Sequence, residues 1–413
     1  MLNRDVFQED PGTYRIPNDG VAKIVFPPAP GAPTQTLKDE LRTFITDGEF
    51  GRGLLRILES FRTGLGQGSQ KAAWISGFYG SGKSHLAKML CALWTDQPFA
   101  DGSRPSTLLP EPSADLLAEL RNMRAASERA GGLHAAGGTL GGGSDDPKLA
   151  TLGIILQSVG LPLDFRAARV AFWLADEGIL DAVRARLGDA FESAIRNFVL
   201  STAFREAVLA EKPALATNIR DLSDRLKADF PQPPEITVAD LSSTVRRALL
   251  LNRKELPLTL VVLDEVQQFL KNDPSRTLDV QNIAERFAAD FDGRLLLVGT
   301  GQQALNELEK RRRISAIISI NNTPDSPAKT PDDRMDHGWK LLDAVYPQNL
   351  ESFARCFTHT FSVYSGSDPD RHEKPSCSVA GKRCWIGGVC GNTGRGVFRQ
   401  PISGLMRTRR YFR

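Results

Sequence analysis

Cysteine, tyrosine, tryptophan and methionine are all scarce, with five of each in 413 residues. So few cysteines in a chain this long do not make a disulfide framework. No apolar run approaches the ~18–20 residues of a membrane-spanning helix. The stretch Met1 to Asp5 has no apolar signal-peptide core, so the expected address is cytoplasmic. Neither sign of charge is in excess. The 52 Lys+Arg face 49 Asp+Glu, and a net of +3 does not argue for nucleic acid or a membrane surface. The guanine-reading run Asn-Lys-x-Asp is missing as well. What is present is a 41% hydrophobic fraction, enough to bury a core and exclude wholesale disorder. The length suggests two to three domains.

Residues 1–70 read as a small N-terminal helical module. A short β-like run covers Val21–Phe26, and Thr36 with Asp39 has the spacing of a capping box. Leu37, Leu41, Phe44 and Ile45 recur at helical spacing, as do Leu54, Ile57, Leu58 and Phe61. Residues 71–310 read as an α/β domain. Ala72–Ser76 is a strand, and Leu86, Met89, Leu90, Leu93 and Trp94 form one apolar helical face after a Gly-rich turn. Residues 98–255 read as a largely helical insertion. Within it Gly131–Asp146 is very Gly-rich and is read as a loop, either a linker or one bordering the ligand. Leu258–Leu263 and Arg294–Thr300 are apolar runs suited to strands of a parallel sheet buried on both faces. A crossover helix over 275–292 joins them into a βαβ unit.

The turn after the first strand carries chemistry. Gly77-Phe78-Tyr79-Gly80-Ser81-Gly82-Lys83-Ser84 satisfies G-x-x-x-x-G-K-[ST], the Walker A phosphate loop. Glycines let successive backbone N–H groups face one anion, and the following helix adds its positive N-terminal end. Lys83 is expected at the β- and γ-phosphates and the Ser84 hydroxyl on Mg²⁺. The run Leu260-Val261-Val262-Leu263 ends in Asp264-Glu265, a Walker B pattern. Asp264 is expected beside Mg²⁺ and Glu265 as the group that deprotonates the attacking water. Thr300 and Gln302, after the next strand, are candidate γ-phosphate sensors, or members of an ordinary strand-end loop. Arg311, Arg312 and Arg313 read as an arginine finger for a neighbouring subunit or as a solvated helix end. ATP and Mg²⁺ are therefore the expected cofactors of a P-loop ATPase.

The stretch Ala73-Trp74-Ile75-Ser76-Gly77-Phe78-Tyr79-Gly80-Ser81-Gly82-Lys83-Ser84-His85 resembles the phosphate loop of the P-loop ATPases of BREX phage-defence systems, the BrxC/PglY family. Its aromatic residues and His85 are more specific than the generic motif. Leu263-Asp264-Glu265-Val266-Gln267-Gln268-Phe269 resembles that family's L-D-E-V-x-Q-F, and Leu41–Thr46 its leading segment. The resemblance covers about residues 1–305. It implies a parallel sheet of the additional-strand, catalytic-Glu class flanked by helices. It also implies Gly77, Tyr79, Gly80, Ser81, Gly82, Lys83, Ser84 and His85 at the nucleotide, and antiviral work in the cytoplasm beside a DNA methyltransferase. Family members are far longer, and the resemblance fades after Gln303.

Residues 311–413 read as an irregular basic tail. Residues 366–413 hold ten Lys/Arg against three Asp/Glu, a net of +7, which leaves −4 for the rest of the chain. Cys377, Cys384 and Cys390 are spaced C-x6-C-x5-C, not a usual zinc spacing. Arg399, Arg407, Arg409, Arg410 and Arg413 could contact phosphates of a nucleic acid. The loss of apolar period together with Cys and Arg enrichment is what a truncated or frame-shifted end produces. Three functions follow: an Mg²⁺-dependent ATPase of a defence complex, a non-catalytic ATP-gated assembly module, and a DNA-associated motor or loader; a homo-oligomer is a further expectation.

Overall fold

The computed structural model describes residues 24–28, 34–67, 70, 72–77, 80–141, 144–232, 235–271, 273–302, 317–321, 376–379 and 382–385, the last three stretches as backbone strands. The expectations placed on Tyr79, on Arg311 to Arg313 and on the arginines from Arg399 onward lie outside these residues. The core is a six-stranded sheet in the order β1-β3-β4-β5-β2-β6. The strands are β1 (Val25–Phe26), β2 (Ala72–Ser76), β3 (Leu133–Thr139), β4 (Leu258–Asp264), β5 (Leu295–Gly301) and β6 (Ile317–Asn321). All pair in parallel except β1, which runs antiparallel to β3. The chain leaves β2, crosses to β3 and returns strand by strand through β4 and β5 to β2's flank, with β6 on the other side.

Alternate residues of the strands feed two apolar layers, as the two-residue period of a strand requires. Ala73, Ile75, Leu260, Val262, Leu296 and Val298 pack with α1 (Gln35–Arg42), α2 (Glu49–Gly64), α3 (Lys83–Thr95) and α5 (Ala114–Ser127), while the single-turn α4 spans Pro105–Leu108. The indole of Trp94 on α3 donates to the Leu258 carbonyl at 3.0 Å and lies 4.6 Å from the Phe61 ring, so α2, α3 and β4 meet at one buried point. The helices of the first 70 residues thus share one apolar cluster with β2 and α3.

Trp74, Ala136, Val261, Leu263, Leu295 and Leu297 face the opposite layer. It is built from α6 (Pro147–Ser158), α7 (Phe165–Asp176), α8 (Leu180–Leu187), α9 (Phe191–Arg196), α10 (Thr202–Glu211), α11 (Ile219–Asp229), α12 (Val238–Leu250), α13 (Val266–Leu270) and α14 (Pro274–Asp290). Side-chain caps punctuate these helices. Asp146, Asp164, Ser201, Asn218 and Thr237 each accept a first-turn N–H, a contribution of about 1 kcal/mol apiece.

Two local expectations are corrected. The Gly-rich stretch 131–146 is not a loop throughout, because Leu133–Thr139 is an interior strand paired with β4 from Leu133↔Leu258 to Thr139↔Asp264. Its glycines answer to crowding. A Cβ on Gly137 would stand 2.7 Å from Ile24 Cγ2, and one on Gly138 would stand 2.7 Å from Ile154 Cγ1. Small residues let helices approach a strand this closely, so glycine here marks packing. The insertion between the two nucleotide motifs is accordingly helical apart from a strand that belongs to the central sheet.

The second correction concerns α1, which begins at Gln35 with Thr34 at its N-cap and no side-chain cap. Thr36 is inside the first turn, and Asp39 instead bonds Gln35 Nε2 at 2.7 Å and Arg42 at 3.2 Å. In the stretch read as an irregular basic tail the described residues are three short strands: 317–321 form β6 beside β2, and β7 (Ser376–Val379) pairs antiparallel with β8 (Lys382–Trp385). The isoleucines at 317, 318 and 320 suit a pleated strand but make a run too short to read as one with certainty of period.

Candidate functional site

The Gly-rich turn leaves the C-terminal end of β2, which pairs with β5 at Ser76↔Gly301. Open parallel sheets hold ligands at this edge. Gly80 and Gly82 have φ of 82° and 85°, values that favour glycine. A Cβ on Gly80 would meet nothing within 4 Å, so its outer side is open. Gly82 caps α3, and the helix starts at Lys83 with its N-terminus directed at the turn. Ser81 is buried.

Two side chains of the turn reach the end of β4. The Ser84 hydroxyl donates to Asp264 Oδ1 at 3.1 Å, across 180 positions of sequence. Lys83 is half-buried. Loss of solvent pulls its ammonium below the ordinary lysine value, and the nearby carboxylates of Asp264 and Glu265 oppose that shift. A half-buried ammonium at the start of α3, beside two carboxylates, is placed to meet an anion seated in the turn.

Asp264 is 2% exposed. Besides Ser84, the Thr300 hydroxyl donates to its Oδ1. Thr300 Oγ1 in turn accepts the Glu265 backbone N–H at 3.0 Å, so one hydroxyl spans both acidic residues. The Asp264 carbonyl accepts from the Leu140 N–H at 3.1 Å, which brings the exit of β3 to the same edge. Glu265 has φ 58° and ψ 30°, a left-handed conformation that costs a residue other than glycine about 1 kcal/mol or more. This kink ends β4 and starts α13.

The structure therefore brings Lys83, Ser84, Asp264, Glu265 and Thr300 together. His85 is buried, its ring edge-on to Phe44 with centroids 5.5 Å apart. Gln302 is exposed, and its backbone N–H donates to Gln267 Oε1 at 2.7 Å. Neither Gln267 nor the β3 exit at Leu140 is among the sequence-derived candidates. In sequence Gln267 stands three residues after Asp264, at the x of the L-D-E-V-x-Q-F pattern.

Among the described residues no group of three or more His, Cys, Asp and Glu stands together as a metal centre. A hard cation at this edge would rest on Ser84 Oγ and Asp264, with phosphate oxygens and water completing the shell, a donor set suited to Mg²⁺. Among the described residues no helix is long and apolar enough to cross a membrane. Comparison with protein-family models, with curated proteins and with solved structures finds no match in any of the three.

Proposed function

We propose that this chain is an Mg²⁺-dependent P-loop ATPase. One observation carries the reading: the phosphate-loop Ser84 and the strand-end Asp264 are hydrogen-bonded at 3.1 Å although 180 positions separate them. The order in which β5 lies between β2 and β4 supports the additional-strand class, because that strand is the one the class inserts. The residues fit a magnesium nucleotide. The turn is open at Gly80, Lys83 stands half-buried beside Asp264 and Glu265, and Asp264 is fixed by two hydroxyl donors on one oxygen.

In this reading the backbone N–H groups of the turn and the N-terminus of α3 hold the phosphates, and Lys83 offsets the charge that develops on them. Ser84 Oγ and Asp264 hold the cation, whose chemistry is to neutralise phosphate oxygens. The Glu265 carboxylate accepts the proton of the attacking water. Thr300 keeps the two acids in fixed relation. The resemblance of residues 73–85 and 263–269 to the BREX ATPases supports a cytoplasmic phage-defence complex with a DNA methyltransferase.

Titration with a fluorescent ATP analogue and a phosphate-release assay test this. Lys83→Ala is expected to lose nucleotide binding. Glu265→Gln is expected to keep affinity within about twofold and lose turnover by about 10²–10³-fold. Equal ATP affinity in wild type and Lys83→Ala sinks the proposal.

A further inference from the structure

Helix α13 is anchored unusually for so short an element. It has five residues, Val266–Leu270, and is bracketed by non-glycine residues in left-handed conformation, Glu265 at φ 58° and Lys271 at φ 46°. A single helical turn does not sustain itself, since nucleation is the costly step. Strained kinks persist only where the surroundings over-determine them. On the inner side Val266, Phe269 and Leu270 are buried. Beyond the turn the Phe269 carbonyl accepts from Arg276 at 3.0 Å, and the guanidinium lies 5.2 Å from the Phe269 ring centroid. On the solvent side the polar anchor is Gln267, half-buried, whose Oε1 accepts the Gln302 N–H at 2.7 Å.

That bond falls just where the ladder stops. The last pair of β5 with β2 is Ser76↔Gly301, so the Gln302 N–H is the first beyond it, and Gln267 satisfies it. Three bonds then clasp the end of β5 to the segment 264–267: Thr300 to Asp264, Glu265 to Thr300, and Gln302 to Gln267. The first two are inside the site, and the third closes the clasp from outside.

We propose that Gln267 is a positioning residue for the reaction proposed above: by holding the end of β5 against α13 it fixes where Thr300 sets Asp264 and Glu265. This inference rests on the ATPase reading. It assigns Gln267 no contact with nucleotide. It requires an acceptor at that position, whatever its charge.

The test compares the full chain with Gln267→Met, which keeps length and removes the acceptor, and Gln267→Glu, which restores one. Three quantities are read: affinity for a non-hydrolysable ATP analogue with Mg²⁺, phosphate release at saturating ATP, and hydrogen exchange at the Gln302 amide. Gln267→Met is expected to keep analogue affinity within about twofold, to exchange the Gln302 amide up to about tenfold faster, and to release phosphate about tenfold more slowly. Gln267→Glu is expected to recover the slow exchange and most of the rate. Unchanged exchange or unchanged release in Gln267→Met overturns the inference while the ATPase reading stands. A wild-type chain that fails to bind the analogue removes both. Binding without release in the wild type removes hydrolysis and the positioning role together. Slow release in Gln267→Glu despite restored exchange also overturns it.

Discussion

Replacing Gly138 by alanine separates two views of the Gly-rich stretch by the sign of the result. In a loop the change would be neutral or slightly stabilising, since alanine narrows the unfolded ensemble by about 0.4–1 kcal/mol. In β3 the added methyl meets Ile154 of α6, with Cγ1 at 2.7 Å, Cδ1 at 3.1 Å and Cγ2 at 3.4 Å. Ile154 is 9% exposed and sits in the layer that joins the sheet to the helical array, so it has little room to retreat. Overpacking of this kind costs about 1–3 kcal/mol. Set against the entropy gain, the net expectation is a loss of about 1–2 kcal/mol. Urea denaturation at 25 °C reads it as a lower midpoint at unchanged slope. A double-mutant cycle sharpens the attribution. Ile154→Ala alone is expected to cost about 2–4 kcal/mol, and the double variant less than the two single costs together, because each change fills or opens the same space. A Gly138→Ala protein as stable as wild type, or strictly additive effects, would refute the packing argument.

Two other substitutions probe buried polar groups. Thr300→Val keeps the shape of the side chain but leaves Asp264 Oδ1 without one donor and the Glu265 N–H without its acceptor. A loss of about 2–4 kcal/mol in urea is expected, with Thr300→Ser losing about 1 kcal/mol or less; equal losses in both would mean the hydroxyl is idle. His134 is buried with Nε2 2.9 Å from Ser158 Oγ, and that hydroxyl is itself bonded to the Ile155 carbonyl. Burial first, and the Arg253 charge second, push the His134 pKa down to about 4. The unfolded chain therefore binds a proton that the folded chain refuses between pH 6.5 and 4, so stability falls as pH drops through that window. The contribution is about 3 kcal/mol in full. His134→Gln is expected to flatten that part of the stability–pH curve, and an unchanged slope would exclude His134 as its source.

The legibility of this fold differs from element to element. β2, α3, β4 and β5 are readable because apolar runs and a phosphate-loop pattern coincide there, and the structure has strands or helix at those positions. The crossover helix read at 275–292 is α14, Pro274–Asp290. β3 was hidden because its residues, Leu-His-Ala-Ala-Gly-Gly-Thr, are chosen by the neighbours that crowd them and not by strand preference. Thr300 stands out as the polar residue near the end of a strand. Its double role, donor to Asp264 and acceptor for Glu265, depends on a left-handed Glu265 that no pattern announces. Gln302 drew notice for its side chain, whereas its recorded bond is made by its backbone, and the partner, Gln267, belongs to another strand's exit. Contacts between a side chain and a distant backbone N–H leave little trace in residue type.

The position of β2 in the sheet has a consequence for how the chain is made. β2 is the first of the parallel strands to leave the ribosome, yet its two neighbours, β5 and β6, are among the later ones. Roughly two hundred residues of synthesis separate β2 from β5, which at ~5–20 residues per second amounts to roughly 10–40 s. Throughout that interval neither sheet neighbour of β2 has been made, and the turn that follows it has no acidic strand end to meet until β4 is complete. The nascent chain must shield an unpaired apolar strand until its partners arrive, because exposed strand edges recruit other chains. The apolar cluster that Ala73 and Ile75 share with α1, α2 and α3 covers one face of β2 early but leaves Trp74 on the other face and the backbone edges open. A polypeptide stopped before Leu295 would carry that defect permanently and is expected to aggregate, whatever residues remain in its Gly-rich turn.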